Sequence, residues 1–335
     1  MKESKIGYVV LVSLIVALGG FLMGFDASVI SGVVKFIEPE FQLSKIELGW
    51  AVSSLTLTAT LAMLLAGPLS DRWGRKRVLL LAATLYALSA IFSAIAPSFT
   101  FLVAARMLGG FGVGASLIIA PMYIAEIAPP KIRGTMVSFN QLNIVVGISA
   151  AFFTNYLILK FGESGSSWTK ILGLDVYNWR WMLGVEAFPA IIYFTALFVV
   201  PRSPRWLIMK GKDKEALRVM AKASGEELAY PELEAIKLSL KSETSKKKAR
   251  LKEIFSPALK TALTIGIVLA VFQQLTGINS VFFYAPMIFE QSGLGVGDAF
   301  SQAIYVGLIN LIFTIVAMML IDKIGRKPLL IIGAT

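Results

Sequence analysis

Two charged residues stand where the chain is otherwise apolar: Asp26 in the stretch 6–32 and Arg106 in the stretch 100–125. A charge inside a bilayer costs about 2.5–3.5 kcal/mol on insertion scales, so such a residue is normally buried against a partner or beside a wet cavity. If the first stretch runs outward and the fourth inward, Asp26 lies about six residues before the outer end of one and Arg106 about six after the outer start of the other. At about 1.5 Å per residue the two reach similar depths. Such a pair has proton chemistry open to it, because a carboxylate can exchange a proton while the guanidinium favours its ionised form. It can equally be a static ion pair that fixes helix packing, and Asp26 can be an acid hydrated near the outer interface. The chain contains no histidine and no cysteine, so proton handling falls to carboxylates, and disulfides, thiolate nucleophiles and thiolate metal sites are excluded.

Among the side-chain amides in apolar stretches are Gln141, Gln273, Gln274, Asn279 and Asn310. An amide both donates and accepts, so each either bonds a neighbouring helix or faces a cavity. Gln273 and Gln274 stand beside Gly277, in a segment that can unwind locally, which favours a cavity. A third cluster occurs twice, as Asp71-Arg-Trp-Gly-Arg-Lys76 and Asp322-Lys-Ile-Gly-Arg-Lys327. In each copy glycine permits a tight turn, and the aspartate can cap a helix or pair with an arginine.

The elements that must position these groups are long and apolar. Hydrophobic residues make up 56% of the 335 positions and the mean hydropathy is +0.73. Stretches near 6–32, 48–69, 78–96, 100–125, 136–159, 181–200, 260–290 and 300–321 have the roughly 20 residues needed to cross a bilayer, and a ninth starts at Pro328. This predicts an all-α membrane protein. The run from Ile6 to Gly24 is too long for a signal-peptide core and reads as the first span. Arg72, Arg75, Lys76 and Arg77, then Lys131 and Arg133, then Lys323, Arg326 and Lys327 fall in alternate connections, which places those loops and the amino terminus in the cytoplasm. The net charge of +11 is explained by such loops and by anionic membrane lipid, and no nucleic-acid partner is expected.

One long polar insertion follows Pro201. Asp213 to Ala223 and Pro231 to Lys241 carry apolar residues at helical spacing and predict short amphipathic helices at the membrane face, followed by the basic run Lys246, Lys247, Lys248 and Arg250. The expected organisation is a six-helix bundle over 1–200, a cytoplasmic linker over 201–259 and the start of a second bundle over 260–335. Six spans separate the two Gly-Arg-Lys loops, as a duplicated six-helix unit requires. On that reading the sequence ends at the beginning of the ninth of twelve spans. Glycines Gly20, Gly24, Gly110 and Gly114 are spaced to let helices approach closely. Glu186 and Glu290 are further acids in apolar stretches and read as structural or interfacial. No nucleophile with a base, metal cluster or phosphate loop points to an enzyme, and no cofactor is expected.

The ordered motifs resemble those of the sugar porter family of the major facilitator superfamily over essentially the whole chain. They are Gly24-Phe-Asp-Ala-Ser-Val-Ile-Ser-Gly32, the two Asp-x-x-Gly-Arg-Lys loops, Pro121-Met-Tyr-Ile-Ala-Glu126 with Arg133-Gly134, Pro201-Arg-Ser-Pro-Arg-Trp206, and Gln273-Gln-Leu-Thr-Gly-Ile-Asn279. The resemblance implies the major facilitator fold of two six-helix repeats, and a multi-pass, monomeric carrier in a bacterial plasma membrane. It implies alternating-access transport of a monosaccharide, hexose or pentose, with a proton. A proton-independent uniporter and a non-transporting sugar sensor are the alternatives. By the same resemblance Asp26 and Arg106 couple the proton, and Gln141, Gln273, Gln274, Asn279 and Asn310 bind the sugar. Asp71, Gly74, Arg75, Glu126, Arg133 and Arg205, with Asp322, Gly325 and Arg326 in the second repeat, form the cytoplasmic gate network. Two departures stand out: Arg202 where the family motif has glutamate, and Ile148 where some proton-coupled members have glutamine.

Overall fold

Apolar length dictates helix in this chain, since a backbone crossing lipid must satisfy its own hydrogen bonds. The computed structural model describes residues 3–130, 132–245 and 256–334, and every regular element among them is an α-helix. Five long helices come first: α1 (Glu3–Glu40), α2 (Lys45–Trp73), α3 (Arg75–Ala94), α4 (Phe99–Ile127) and α5 (Arg133–Glu163). Short helices α6 (Ser167–Ile171), α7 (Asn178–Gly184) and α8 (Ala187–Ala196) follow, then α9 (Pro204–Met209), α10 (Asp213–Ala223) and α11 (Glu226–Ser245). The chain continues through α12 (Pro257–Leu275), α13 (Ile278–Gln291), α14 (Val296–Ile324) and α15 (Arg326–Ala334).

Seven helical stretches, not eight, are long and apolar enough to span a membrane, α12 and α13 counting as one. The missing one is the stretch expected at 181–200, which is divided into α7 and α8. Pro189 is the cause. It has no N–H to give the carbonyl of Val185, and the amide of Phe188 takes that oxygen instead, at 3.2 Å. Val185 and Glu186 keep right-handed helical dihedrals, so the segment continues as a pinched rod rather than turning back. The seventh stretch breaks at Gly277, whose φ of 73° is left-handed, as its glycine suggested.

The linker helices fall where the periodicity placed them. Their apolar faces, with Ala216, Val219, Met220 and Leu233, join the core that contains Val9 and Val12 of α1 and Ile127 of α4, so they pack on protein rather than on the membrane face alone. Lys237 of α11 pairs with Asp213 of α10 at 2.7 Å, and that hydrogen bond raises the pKa of the ammonium. Lys131, Lys246, Lys247, Lys248 and Arg250 lie outside the described residues.

The repeated loops share one geometry. A single glycine joins α2 to α3 and α14 to α15, with φ of 96° at Gly74 and 90° at Gly325, and each donates its N–H to the carbonyl four residues back. Only glycine adopts this conformation without strain.

Helix pairs meet backbone to backbone at the other glycines. A Cβ on Gly24 would lie 1.9 Å from the Ile144 carbonyl oxygen of α5, and one on Gly147 would lie 2.1 Å from that of Phe21. Gly110 and Gly114 of α4 meet the Leu55 and Ala59 carbonyl oxygens of α2 in the same way, at 2.3 and 2.0 Å. The apolar core is two-tiered. One tier holds Val9 to Leu22 of α1 with the linker helices, and the other holds Phe25 to Ile37 with α7 and Phe300 of α14.

Gly24→Leu must push α1 off α5, which costs at least about 1–3 kcal/mol. Gly7→Leu, where nothing lies within 4 Å, serves as the control. Thermal unfolding in detergent is expected to shift down for Gly24→Leu alone; equal midpoints for the two variants would mean the helices are not in backbone contact.

Candidate functional site

Asp26 and Arg106 meet at the seam between the two apolar tiers. The Arg106 Nη1 donates to Asp26 Oδ1 at 3.2 Å, Nη2 to the Asp26 carbonyl at 3.4 Å and Nε to the Ala51 carbonyl at 3.3 Å. Both residues are buried, at 2% and 1% exposure, so the pair is a desolvated one. Asp26 Oδ2 has no hydrogen-bond partner, and Gly109 keeps space beside it: a Cβ there would lie 3.0 Å from that oxygen and 2.5 Å from Ser89 Oγ.

Glu186 belongs to the same buried group, contrary to the expectation that it stands outside any polar cluster. It is 3% exposed, its Oε1 has no partner, and it lies within electrostatic reach of both Asp26 and Arg106.

The amides divide into one bonded pair and three others. Asn279 Nδ2 donates to Gln274 Oε1 at 2.9 Å across the break at Gly277, and both side chains are exposed. Gln273 makes no side-chain hydrogen bond among the described residues. On α5, Gln141 lies seven and eleven residues before Ile148 and Phe152, hence on nearly the same helix face. That face meets the C-terminal helices: Phe152 stacks on Phe282 of α13 with centroids 6.3 Å apart, and Ser149 Oγ donates to the Gly307 carbonyl of α14 at 3.0 Å. Asn310 follows one turn inward of Gly307. From the Ser149–Gly307 contact, Gln141 lies about 12 Å and Asn310 about 4.5 Å further along their helices in the same direction. Phe25 lies in the outer tier and Phe283 and Tyr284 pack against it, so these aromatics are core.

Besides these mid-helix contacts of α5, the two halves meet through an ion pair. Lys35 Nζ of α1 bonds Glu290 Oε2 of α13 at 2.8 Å, beside the packing of Phe283, Tyr284 and Met287 on the outer tier. Along α12, by contrast, every described residue but Leu263 is exposed. Gln141, Gln273, Gln274 and Asn279 are exposed, and Asn310 is half-buried.

At the first Gly-Arg-Lys loop Arg75 is the hub. It is 4% exposed, and its guanidinium bonds Asp71 at 2.8 Å, Glu126 at 2.9 and 3.2 Å, and the Ser70 carbonyl at 3.3 Å. Ser203 Oγ bonds the other oxygen of Glu126, and Trp206 Nε1 donates to the Asp71 carbonyl at 3.1 Å. The Trp206 ring closes over Gly74, where a Cβ would sit 3.0 Å from it. Ser203 and Trp206 were not singled out from the sequence, although they stand inside the Pro201–Trp206 motif. Arg133 does not join this network: both Glu126 oxygens are taken, and its Nε donates to the Ala128 carbonyl at 3.3 Å. Arg202 turns to Glu215 at 3.5 Å. Arg205 lies in α9 beside these residues. In the second repeat the side chains of Asp322 and Arg326 lie outside the described residues.

Residues 12–335 match the model of the "Sugar (and other) transporter" family. The chain is 40% identical to the arabinose-proton symporter of Bacillus subtilis (strain 168), covering 99% of this chain and 70% of that protein. It is 38% identical to the D-xylose-proton symporter of Escherichia coli (strain K12), covering 98% and 70%. It is also 38% identical to a probable metabolite transport protein of the same Bacillus, of whose length it spans 65%. Its fold is similar to a partially occluded inward-open xylose transporter from E. coli, with a TM-score of 0.83, 36% identity, and coverage of 98% of this chain and 76% of that one. A proton:xylose symporter bound to 6-bromo-6-deoxy-D-glucose matches equally, at 0.83 and 37% identity over 98% and 72% of the two chains.

Glu126→Ala leaves Arg75 buried with only the Asp71 carboxylate, 55% exposed, opposite it, and should cost about 3–5 kcal/mol. Asp71→Ala removes a half-hydrated i,i+4 partner and should cost no more than about 1 kcal/mol. Thermal unfolding in detergent ranks the two; an equal or reversed order would show that Arg75 is not held through Glu126.

Proposed function

Because this chain belongs to the sugar porter family of the major facilitator superfamily, we propose that it carries a monosaccharide, pentose or hexose, across the membrane together with a proton. The family and the relatives above are transporters and not enzymes. The observation that carries the proton assignment is the buried Asp26–Arg106 pair with an oxygen of Asp26 left unbonded.

The mechanism follows from what burial does to a carboxyl group. Desolvation penalises the charged form, and Arg106 offsets that penalty while it stays at 3.2 Å. Protonation of Asp26 weakens its hold on Arg106, and a change in the distance between α1 and α4 changes the ease of protonation; the two are linked by thermodynamic necessity. Glu186 lies close enough to take over part of the guanidinium's charge when Asp26 is neutral, and so keeps Arg106 from being left without a counter-charge.

Sugar hydroxyls donate and accept, which suits the Gln274–Asn279 pair, since both amides are exposed and each keeps further donors and acceptors free. Gln141, Gln273 and Asn310 border the same path as further candidates, and Ile148 puts an apolar side chain on the α5 face between Gln141 and Phe152. Movement of α12 toward the N-terminal helices, with Lys35 parting from Glu290, would be one half of an alternating-access cycle. Arg75, Glu126 and Ser203 are the gate-side groups that such closure would engage.

Two experiments test this reading in the complete protein that carries this sequence. Gln274→Ala and Asn279→Ala each remove a hydrogen bond worth about 0.5–1.5 kcal/mol, so affinity for the transported sugar should fall about two- to tenfold with expression unchanged. Binding of arabinose, D-xylose and glucose is the measurement, and normal affinity in both variants would place the sugar elsewhere.

Asp26→Asn should abolish uptake against a gradient while exchange down a gradient persists, because the amide keeps volume and hydrogen bonding but does not titrate across the working range. Uptake into proteoliposomes with and without an imposed pH gradient reads this out. Accumulation by Asp26→Asn under a proton gradient would remove Asp26 from the coupling step, and proton-independent uptake by the unmodified protein would make it a facilitative carrier.

A further inference from the structure

A second cavity lies away from the sugar path, between the start of α3, the end of the pinched sixth span and the 202–206 turn. It measures about 190 Å3. Four cations line it, Arg75, Lys76, Arg77 and Arg202, and no acid does among the described residues. Arg75 is committed to Asp71 and Glu126. The other three have little to balance them. Lys76 Nζ is turned inward onto the Phe198 carbonyl at 2.9 Å, Arg77 forms no ion pair among the described residues, and Arg202 has only the half-exposed Glu215 at 3.5 Å.

An ordinary cytoplasmic loop keeps its cations apart and in water. Here they converge, and the turn at Gly74 adds the amino terminus of α3, which has no side-chain cap. The rim is apolar and outward-facing: Trp73 is 44% exposed, Phe198 60% and Val199 71%. A cavity that is cationic inside and aromatic at the rim, placed where spans end, matches one occupant, an anionic group tethered to hydrocarbon. A free soluble anion would have no use for the apolar rim.

We propose that this cavity binds the phosphate of an anionic phospholipid headgroup, held by Lys76, Arg77 and Arg202, with Trp73 and Phe198 against the adjoining glycerol and methylenes. Arg202 gives the site its sign, since an acid at that position would turn the phosphate away. The bound phosphate ties the 202–206 turn to the start of α3, and so steadies Ser203 on Glu126. The proposal rests on the membrane placement of the chain and not on which sugar it carries, so a failed transport assay leaves it standing.

The test is native mass spectrometry of the complete protein released from nanodiscs of equimolar phosphatidylglycerol and phosphatidylcholine. The unmodified protein should retain phosphatidylglycerol selectively. R202Q should lower that retention about fivefold, R202E further, and the double change K76Q/R77Q at least as much, at about one lysine or arginine interaction per charge lost. K45Q, whose charge pairs with Glu38 at the far end of α2, should retain as much as the unmodified protein. Equal retention of the two lipids by the unmodified protein, or undiminished retention by R202E and K76Q/R77Q alike, would overturn the site. Displacement of phosphatidylglycerol by excess inorganic phosphate, with the phosphate itself retained, would overturn the lipid assignment in favour of a free anion.

Discussion

A carboxylate and a guanidinium removed from water inside an apolar bundle set the terms for the rest of this molecule. Neither Asp26 nor Arg106 is tolerable alone at that depth, and their mutual position at 3.2 Å is what α1 and α4 must preserve. The close approaches of α1 to α5 at Gly24 and Gly147, and of α2 to α4 at Gly110 and Gly114, hold the surrounding helices near enough that the pair stays enclosed. The two apolar tiers above and below it are the walls of that enclosure. Glu186, buried with an unbonded oxygen, is a further acid in the same enclosure.

The cluster at the first Gly-Arg-Lys loop obeys the same rule with a different hub. Arg75 is as enclosed as Arg106, but its partners come from the end of α2 and from α4, and those partners are held in turn by the 201–206 segment. The Pro201–Trp206 motif reaches Glu126 through the hydroxyl of Ser203 and reaches Asp71 through the Trp206 ring nitrogen. Arg202, which departs from the family pattern, points away from this cluster, so the departure leaves the Arg75 hub intact and instead changes the charge of the neighbouring surface.

Long helices, their approximate ends and the linker helices were legible from apolar length and periodicity, because those quantities depend on local sequence alone. The Asp26–Arg106 pairing was legible for a simple reason: two charges at equal depth in lipid have few places to go. Glu186 was not, since its direction depends on how the backbone accommodates Pro189, and a residue or two of helical phase turns an acid from lipid to core. The pair formed by Gln274 and Asn279 was visible only as two amides; the left-handed Gly277 between them is what folds one onto the other. Arg133 shows the limit of reading charges by proximity in sequence, because its guanidinium bonds the Ala128 carbonyl and not Glu126. Ser203 and Trp206 escaped notice because neither residue type is unusual in a loop.

Helix α1 runs for 38 residues with its single proline at position 39, so it behaves as one stiff rod about 57 Å long. Its outer end carries Lys35, its middle Asp26, and its inner end packs into the tier shared with the linker helices. Treated as a lever with its fulcrum at Asp26, the rod has arms of unequal length. A tilt of about 10° would move Lys35 by about 2 Å and the inner end by about 6 Å in the opposite sense. The first displacement is enough to part Lys35 from Glu290, and the second is enough to shift the linker helices against the bundle. The gearing is therefore unequal: a small displacement at the Lys35 latch accompanies a larger one at the end of α1 that packs on the linker helices.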